Sequence, residues 1–141
     1  MRLEDLELDV EQIDDGVWMD VPGDEDGMAL KLRGRRSKAY KAGYARDLRK
    51  VTRANGRNKG NQLQQFQRVD AENLAEHCIL DWRNFFAGNS ENKGEPIPYS
   101  PETAKQLMTS RKTEPFQELV SELVSQIDSG YDDSEEEIVG N

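Results

Sequence analysis

Cysteine and histidine are nearly missing from this chain, which has one of each among its 141 residues. Cys78 has no partner within the chain, so no internal disulfide can form, and one cysteine with one histidine cannot build a zinc site. Long apolar runs are missing too, and the acidic N-terminus is unlike the basic start of a signal peptide. We therefore expect no metal site, no disulfide and no contact with a membrane.

Catalytic groupings are equally scarce. No glycine-rich loop leads into a Lys-Ser or Lys-Thr pair, so a phosphate-binding loop is not predicted. His77 and Cys78 are neighbours in a predicted helix, where adjacent side chains point about 100° apart and cannot work as a nucleophile and its base. We expect His77 to lie at the edge of the core and Cys78 to be a small buried residue. The sequence predicts no enzyme and no cofactor.

Charge, in contrast, is abundant, because 33% of the residues are charged and only 35% are apolar. It is also segregated: the net charge is −10 over residues 1–28, +11 over 29–70, −4 over 71–127 and −6 over 128–141. A basic centre between acidic ends can be neutralised by folding the ends back or by pairing chains, so a homo-oligomer is one possibility.

The N-terminal half combines an acidic arm with a predicted hairpin. In residues 1–15 the apolar spacing suits a helix and a strand equally, so both alternatives stay open. Residues 16–33 predict a β-hairpin, since two β-prone stretches flank a cluster of Pro, Gly and Asp. Residues 128–141 are too acidic to bury apolar surface and predict a disordered tail.

Helical periodicity accounts for most of the remaining chain. The predicted helices span residues 37–54, 62–86, 101–110 and 113–127. In the first, tyrosines and aliphatic residues share one side and bases share the other. We therefore predict one small α+β domain over residues 16–127, predominantly helical, with the hairpin packed on a bundle of about four helices.

A packing corner is predicted where the second of these helices ends and the third begins. The end of helix 62–86 carries aromatic residues at helical spacing. Two prolines then hold the chain extended, and a Ser-Pro pair has the pattern of an N-cap followed by the first helical residue. The corner should be built by Trp82, Phe85, Pro96, Pro98, Ser100 and Pro101.

Two blocks of sequence carry a resemblance to a known family. The first runs from Trp82 through Gly94-Glu-Pro-Ile-Pro-Tyr-Ser-Pro-Glu102 to the Pro115-Phe116 helix start. The second is Gly16-Val-Trp-Met-Asp-Val21 with Leu30-Lys-Leu-Arg-Gly34, which contains Trp18 and Arg33. In these blocks the chain resembles the small tail assembly chaperones of long-tailed, siphophage-like bacteriophages.

The resemblance implies a role in assembly rather than catalysis. Such chaperones bind the tape measure protein of the phage tail in the host cytoplasm and keep it soluble until tail-tube subunits polymerise around it. Two surfaces are candidates for the contact: the basic side of helix 37–54 and the apolar stripe of the last helix. Their residues are Lys38, Arg46, Arg49, Lys50, Arg53, Phe116, Val120 and Leu123.

Two other classes of function stay open. The chain could be a structural virion component, in the tail or the head–tail connector, whose hairpin joins a neighbour's sheet. It could also be a nucleic-acid-binding regulator, because the bases of residues 31–59 could neutralise phosphates. The acidic ends oppose this second alternative, since they would repel a polyanion.

Overall fold

The computed structural model describes residues 1–55 and 62–130. The predicted tail at 128–141 lies outside the described residues from 131 onward, as does most of the linker between the first two predicted helices. Within the described part the α-helices are α1 Val10–Asp15, α2 Lys38–Asn55, α3 Gln62–Asn73, α4 Pro101–Thr109 and α5 Glu114–Asp128. The strands are β1 Val17–Asp20, β2 Ala29–Leu32 and β3 Ile79–Arg83.

The predicted hairpin is confirmed by the antiparallel pairing of β1 with β2, in which Val17 faces Leu32 and Asp20 faces Ala29. Its turn closes when the Asp24 carboxylate accepts the backbone N–H of Met28 at 2.8 Å. Gly23 and Gly27 supply positive φ angles of 75° and 71° there, which glycine adopts without the steric cost of a side chain.

The arm before the hairpin is helical where the sequence left helix and strand open. A 3-10 turn spans Leu3–Leu6, and α1 follows with Asp9 as its N-cap, whose side chain accepts the backbone N–H of Gln12 at 3.1 Å. Only Ile13 of this region is buried. The other apolar side chains of the arm remain on the surface.

The predicted helix over residues 62–86 is wrong in its second half. After α3, Leu74–Cys78 form a π-helical turn, and Ile79–Arg83 then leave the helix as β3, which pairs antiparallel with β2. The apolar residues of this stretch satisfy a helical period, but β2 has an open edge, and pairing with it satisfies backbone groups along both strands. A register shift beside Leu32 accommodates the irregular entry into the strand.

The two C-terminal helices match their predicted spans to within a few residues. Ser100 caps α4 by accepting the backbone N–H of Thr103 at 3.1 Å, and Pro101 occupies the first turn, as its sequence pattern predicts. A 3-10 turn at Arg111–Thr113 leads into α5, whose first turn contains Pro115.

One hydrophobic core joins the sheet to the helices. It is built by the buried side chains of the three strands, the π-helical turn, α4 and α5, with Ile13 and Tyr40 at its margins. The central strand β2 is almost wholly buried, since Ala29, Leu30 and Leu32 have no exposed surface. The α+β, predominantly helical fold with a hairpin packed on helices is therefore confirmed.

Candidate functional site

The basic side of α2 is exposed to solvent as the helical period predicts. We call Lys38, Arg46, Arg49, Lys50 and Arg53 the basic face, and all five are exposed. Arg46 is the only one of them with ion pairs among the described residues: its guanidinium lies 3.2 Å from Asp47 and 3.8 Å from Glu76. Its hydrogen bond to Asp47 raises the pKa of Arg46. The other four bases are available to a partner.

Two further bases of the 31–59 segment, Arg33 and Arg35, bond to other parts of the protein. Their side chains are therefore not available to bind phosphates. The Arg33 side chain donates to the backbone carbonyls of Asp14 at 2.7 Å and His77 at 3.3 Å. Arg35 makes a two-pronged contact with the Asp70 carboxylate at 3.0 and 2.9 Å. Both have structural contacts: Arg33 joins the end of the hairpin to α1 and the π-helical turn, and Arg35 joins the turn before α2 to α3.

The Arg35–Asp70 pair belongs to a small, partly buried network. Tyr40 donates its hydroxyl proton to Asp70, and Arg35 also donates to the Ser121 hydroxyl at 3.1 Å. Burial and the bond to Asp70 raise the pKa of Tyr40 well above its usual value. Burial lowers the pKa of Arg35, but the contact with Asp70 outweighs it and the net shift is upward. The network fixes α2 against α3 and α5.

An open groove runs between α2 and α3. Its volume is about 620 Å³, and its apolar lining includes Val51, Ala54 and Val69. Lys50 and Arg68 supply positive charge along it. Its negative charge comes from Asp47, Glu72 and Glu76. The groove therefore offers an apolar floor with both signs of charge on its rims.

Two of the three apolar candidates on α5 lie in the core instead of on an exposed contact surface. Val120 and Leu123 have relative exposures of 0% and 1%, so their prediction as partner-binding residues is wrong. The apolar stripe of α5 packs against α4 and α1 within the hydrophobic core, which covers it. Phe116 is partly buried and stacks on Phe85, with ring centroids 5.8 Å apart.

The packing corner forms, although on a strand instead of a helix end. The Trp82 indole donates to the Ile97 carbonyl at 2.8 Å and packs edge-on against Tyr99 with ring centroids 5.0 Å apart. Phe86 and Pro96 form an isolated bridge, which closes the loop between them. Pro98 and Pro101 are exposed beside Ser100 at the start of α4. At the far side of the sheet the Arg83 guanidinium lies 4.6 Å from the Trp18 ring.

His77 and Cys78 do not form a reactive pair. Cys78 is completely buried, and desolvation raises the pKa of its thiol to about 12, so the nucleophilic thiolate is strongly disfavoured. The Nε2 atom of His77 is buried, has no hydrogen-bond partner among the described residues, and faces Gly43 of α2. Within residues 1–55 and 62–130, no three His, Cys, Asp or Glu side chains converge to hold a metal ion.

Sequence reasoning missed two features of this surface. The Asp70 carboxylate was not predicted to hold Arg35 and Tyr40, and it could have been suspected only because it is one of two acids in a basic region. The exposed apolar side chains of the arm were also missed, although Leu3 and Leu6 sit among acids that favour solvent. In the described part of the chain, no helix is long and apolar enough to cross a bilayer.

Comparison with known proteins places the chain in a phage context. A family model described as YdaY prophage protein matches residues 35–141, from the turn before α2 to the end of the sequence. No curated protein and no solved structure matches the chain. Since the matched region is most of the chain and contains the groove, the basic face and the packing corner, the chain belongs to the YdaY prophage protein family.

Proposed function

We propose that this prophage protein is a tail assembly chaperone, which binds the tape measure protein in the host cytoplasm and keeps it soluble until the tail tube polymerises. Membership of a prophage family supports the phage context. The sequence blocks around Trp18 and Trp82, which resemble such chaperones, support the assembly role. No catalytic step is part of the proposal.

The groove between α2 and α3 is the observation that carries the proposal. An amphipathic helix can place its apolar side chains in such a groove at three- and four-residue intervals. Ala54 and Val69 line the floor of the groove, while Lys50 and Glu72 line its charged rims. A long helical client would present this kind of segment many times along its length.

Repeated weak contacts would suit such a client. Each copy that binds raises the local concentration of neighbouring sites, so modest single-site affinity gives a strong overall coat. The net charge of −9 would keep the coated complex soluble through repulsion between complexes. Weak single contacts also allow displacement as tube subunits polymerise.

The groove can be blocked without disturbing the core. Ala54 is exposed and lines the groove, so Ala54→Trp should fill it, while Ala87→Trp places the same side chain on an exposed loop elsewhere. When each variant is co-expressed with the tape measure protein of its phage, the client should be soluble with Ala87→Trp and insoluble with Ala54→Trp. Equal solubility with both variants would remove the groove from the proposal.

Finished particles discriminate the chaperone from a structural virion component. A chaperone is released before the tail is complete, so purified particles should lack this chain. Its presence at a fixed copy number in particles would favour the structural alternative.

A second candidate function is nucleic-acid binding, which is favoured by the exposure of all five side chains of the basic face. Such binding would weaken steeply with salt, because each phosphate contact releases counterions. A mobility-shift titration over a salt series tests it. Absence of binding at low salt removes this candidate.

A further inference from the structure

The first ten residues of the arm expose apolar side chains in an acidic setting. Leu3, Leu6 and Val10 have relative exposures of 74%, 68% and 62%. The same ten residues contain four acids and one arginine. Single exposed leucines are ordinary, but a cluster on one short segment marks a contact surface.

The outward side of α2 has the opposite chemistry. Arg49 and Arg53 are exposed there, and no acid of the described residues lies within ion-pair distance of either. Ala42 and Ala45 are also exposed on the turns that precede them. Small alanines let another helix approach closely, and the aliphatic stems of arginine side chains can cover leucine.

The arm of the same chain does not cover this surface. Leu8 and Val10 line a groove of about 340 Å³ with Arg36, Lys38 and Lys41, at the start of α2. The leucines before them remain in solvent instead of packing along the helix toward Arg53. The arm therefore meets α2 only at its first turns, and the leucines at positions 3 and 6 do not reach the exposed surface around Arg49 and Arg53 in the same molecule.

We infer that residues 1–10 of one chain bind the outward side of α2 on a second copy. The acids of the arm would pair with Arg49 and Arg53, while Leu3 and Leu6 would pack over Ala42 and Ala45. The two contacting surfaces differ, so the contact is head-to-tail, and a pair of copies keeps one free arm and one free basic face with which further copies can associate. The result is a ring or an open row of copies.

This inference does not depend on the proposed chaperone role. The groove lies on the side of α2 that faces α3, whereas the arm would bind the outward side, so both contacts can form at once. Copies associated in this way would each present their groove between α2 and α3 to a client.

Sedimentation velocity on the full chain tests the inference, over a concentration series at low and high salt. The wild-type chain should associate with increasing concentration, and high salt should weaken the association. Two variants each disable one half of the contact: Leu3→Asp with Leu6→Asp in the arm, and Arg49→Glu with Arg53→Glu on α2. Each alone should weaken association at least about tenfold, because buried leucines and paired charges are lost.

Mixing the two variants gives the decisive result. The α2 variant retains an intact arm and the arm variant retains an intact basic face, so an equimolar mixture should form a 1:1 heterodimer that grows no further. The matched control is Arg111→Glu with Lys112→Glu, which makes the same charge change at exposed residues outside the contact and should associate like wild type.

Two results would overturn the inference. One is a wild-type chain that stays monomeric throughout the series. The other is a mixture that forms no heterodimer although wild type associates. All four substituted residues of the test variants are exposed, and circular dichroism confirms that each variant is folded.

Discussion

Asp128 accepts the backbone N–H of Arg35 at 2.9 Å, which ties the last residue of α5 to the turn before α2 across 93 residues of sequence. The second oxygen of the same carboxylate accepts the N–H of Arg36 at 3.0 Å. One side chain thus satisfies two backbone donors that would otherwise lack partners at the start of α2.

Asp128→Ala should therefore lower the free energy of unfolding by about 1–3 kcal/mol, since two backbone donors lose their acceptor. Asp128→Asn keeps one acceptor oxygen, so it should lower the free energy of unfolding by less than Asp128→Ala does. Urea denaturation measures both. Glu122→Ala, at an exposed site on the same helix, should change stability by less than about 0.5 kcal/mol. Equal effects at the two sites would show that the Asp128 contacts contribute nothing.

Gly43→Ala should destabilise the protein although alanine normally favours a helix. A methyl group at Gly43 would meet His77 Nε2 and the side-chain oxygen of Asn73, both on the packed side of α2. We expect a loss of about 1–3 kcal/mol in thermal or urea unfolding, as for other overpacked sites. Ala45→Gly on the outward side tests the helix preference alone and should cost about 1 kcal/mol. A stabilised Gly43→Ala variant would contradict the packing of α2 on the π-helical turn.

Alkaline pH should lower the free energy of unfolding through Cys78. Burial raises the pKa of the thiol from an ordinary value near 9 to about 12 in the folded state. Between these two pH values the Cys78 thiol stays protonated in the folded chain but loses its proton in the unfolded chain. The contribution of this thiol to the free energy of unfolding is therefore intact below pH 9 and is lost as the pH rises toward 12. Within that window the free energy of unfolding should fall by about 1.4 kcal/mol for each unit of pH.

Urea midpoints measured from pH 8 to pH 11 check this expectation. Cys78→Ala should make the urea midpoint depend less on pH between pH 9 and pH 10, even if the substitution also changes stability at neutral pH. Above pH 10 the raised pKa of Tyr40 adds a further loss, which Tyr40→Phe should remove. An unchanged slope in Cys78→Ala would show that another group controls alkaline unfolding.

The packing corner yields a test of the indole hydrogen bond. Trp82→Phe keeps an aromatic ring against Tyr99 but removes the donor to the Ile97 carbonyl. We expect a loss of about 1–3 kcal/mol on urea unfolding, from the unpaired carbonyl and the smaller ring. Pro98→Ala at an exposed position in the same segment is the control and should change stability much less.

Local patterns predicted most of the elements. Ser100 and Pro101 mark a helix start by capping chemistry that depends on a few neighbouring residues, and α4 begins there. The Pro-Gly-Asp cluster after Val21 similarly fixed the hairpin. The strand Ile79–Arg83 was missed because its identity depends on β2, which lies far away in the sequence and offers an open edge.

The residues of the candidate site also fall into those that a local pattern predicts and those that depend on distant parts of the fold. The exposure of Arg49 and Arg53 follows from the period of one helix, so the sequence could predict it. The burial of Val120 depends on what the rest of the fold covers, and a helical stripe alone cannot distinguish core from contact surface. Arg35, in the turn before α2, was grouped with exposed bases because its partner, Asp70, lies on α3, 35 residues later in the sequence.

We propose that this chain binds and solubilises another protein of its phage. The most direct measurement is co-sedimentation of the purified chain with the tape measure protein, with Ala54→Trp and Ala87→Trp in parallel. We expect the wild-type chain and Ala87→Trp to hold the client in the supernatant in a stable complex, and Ala54→Trp to leave it in the pellet. A client that pellets equally with and without the wild-type chain would rule out the proposed chaperone function.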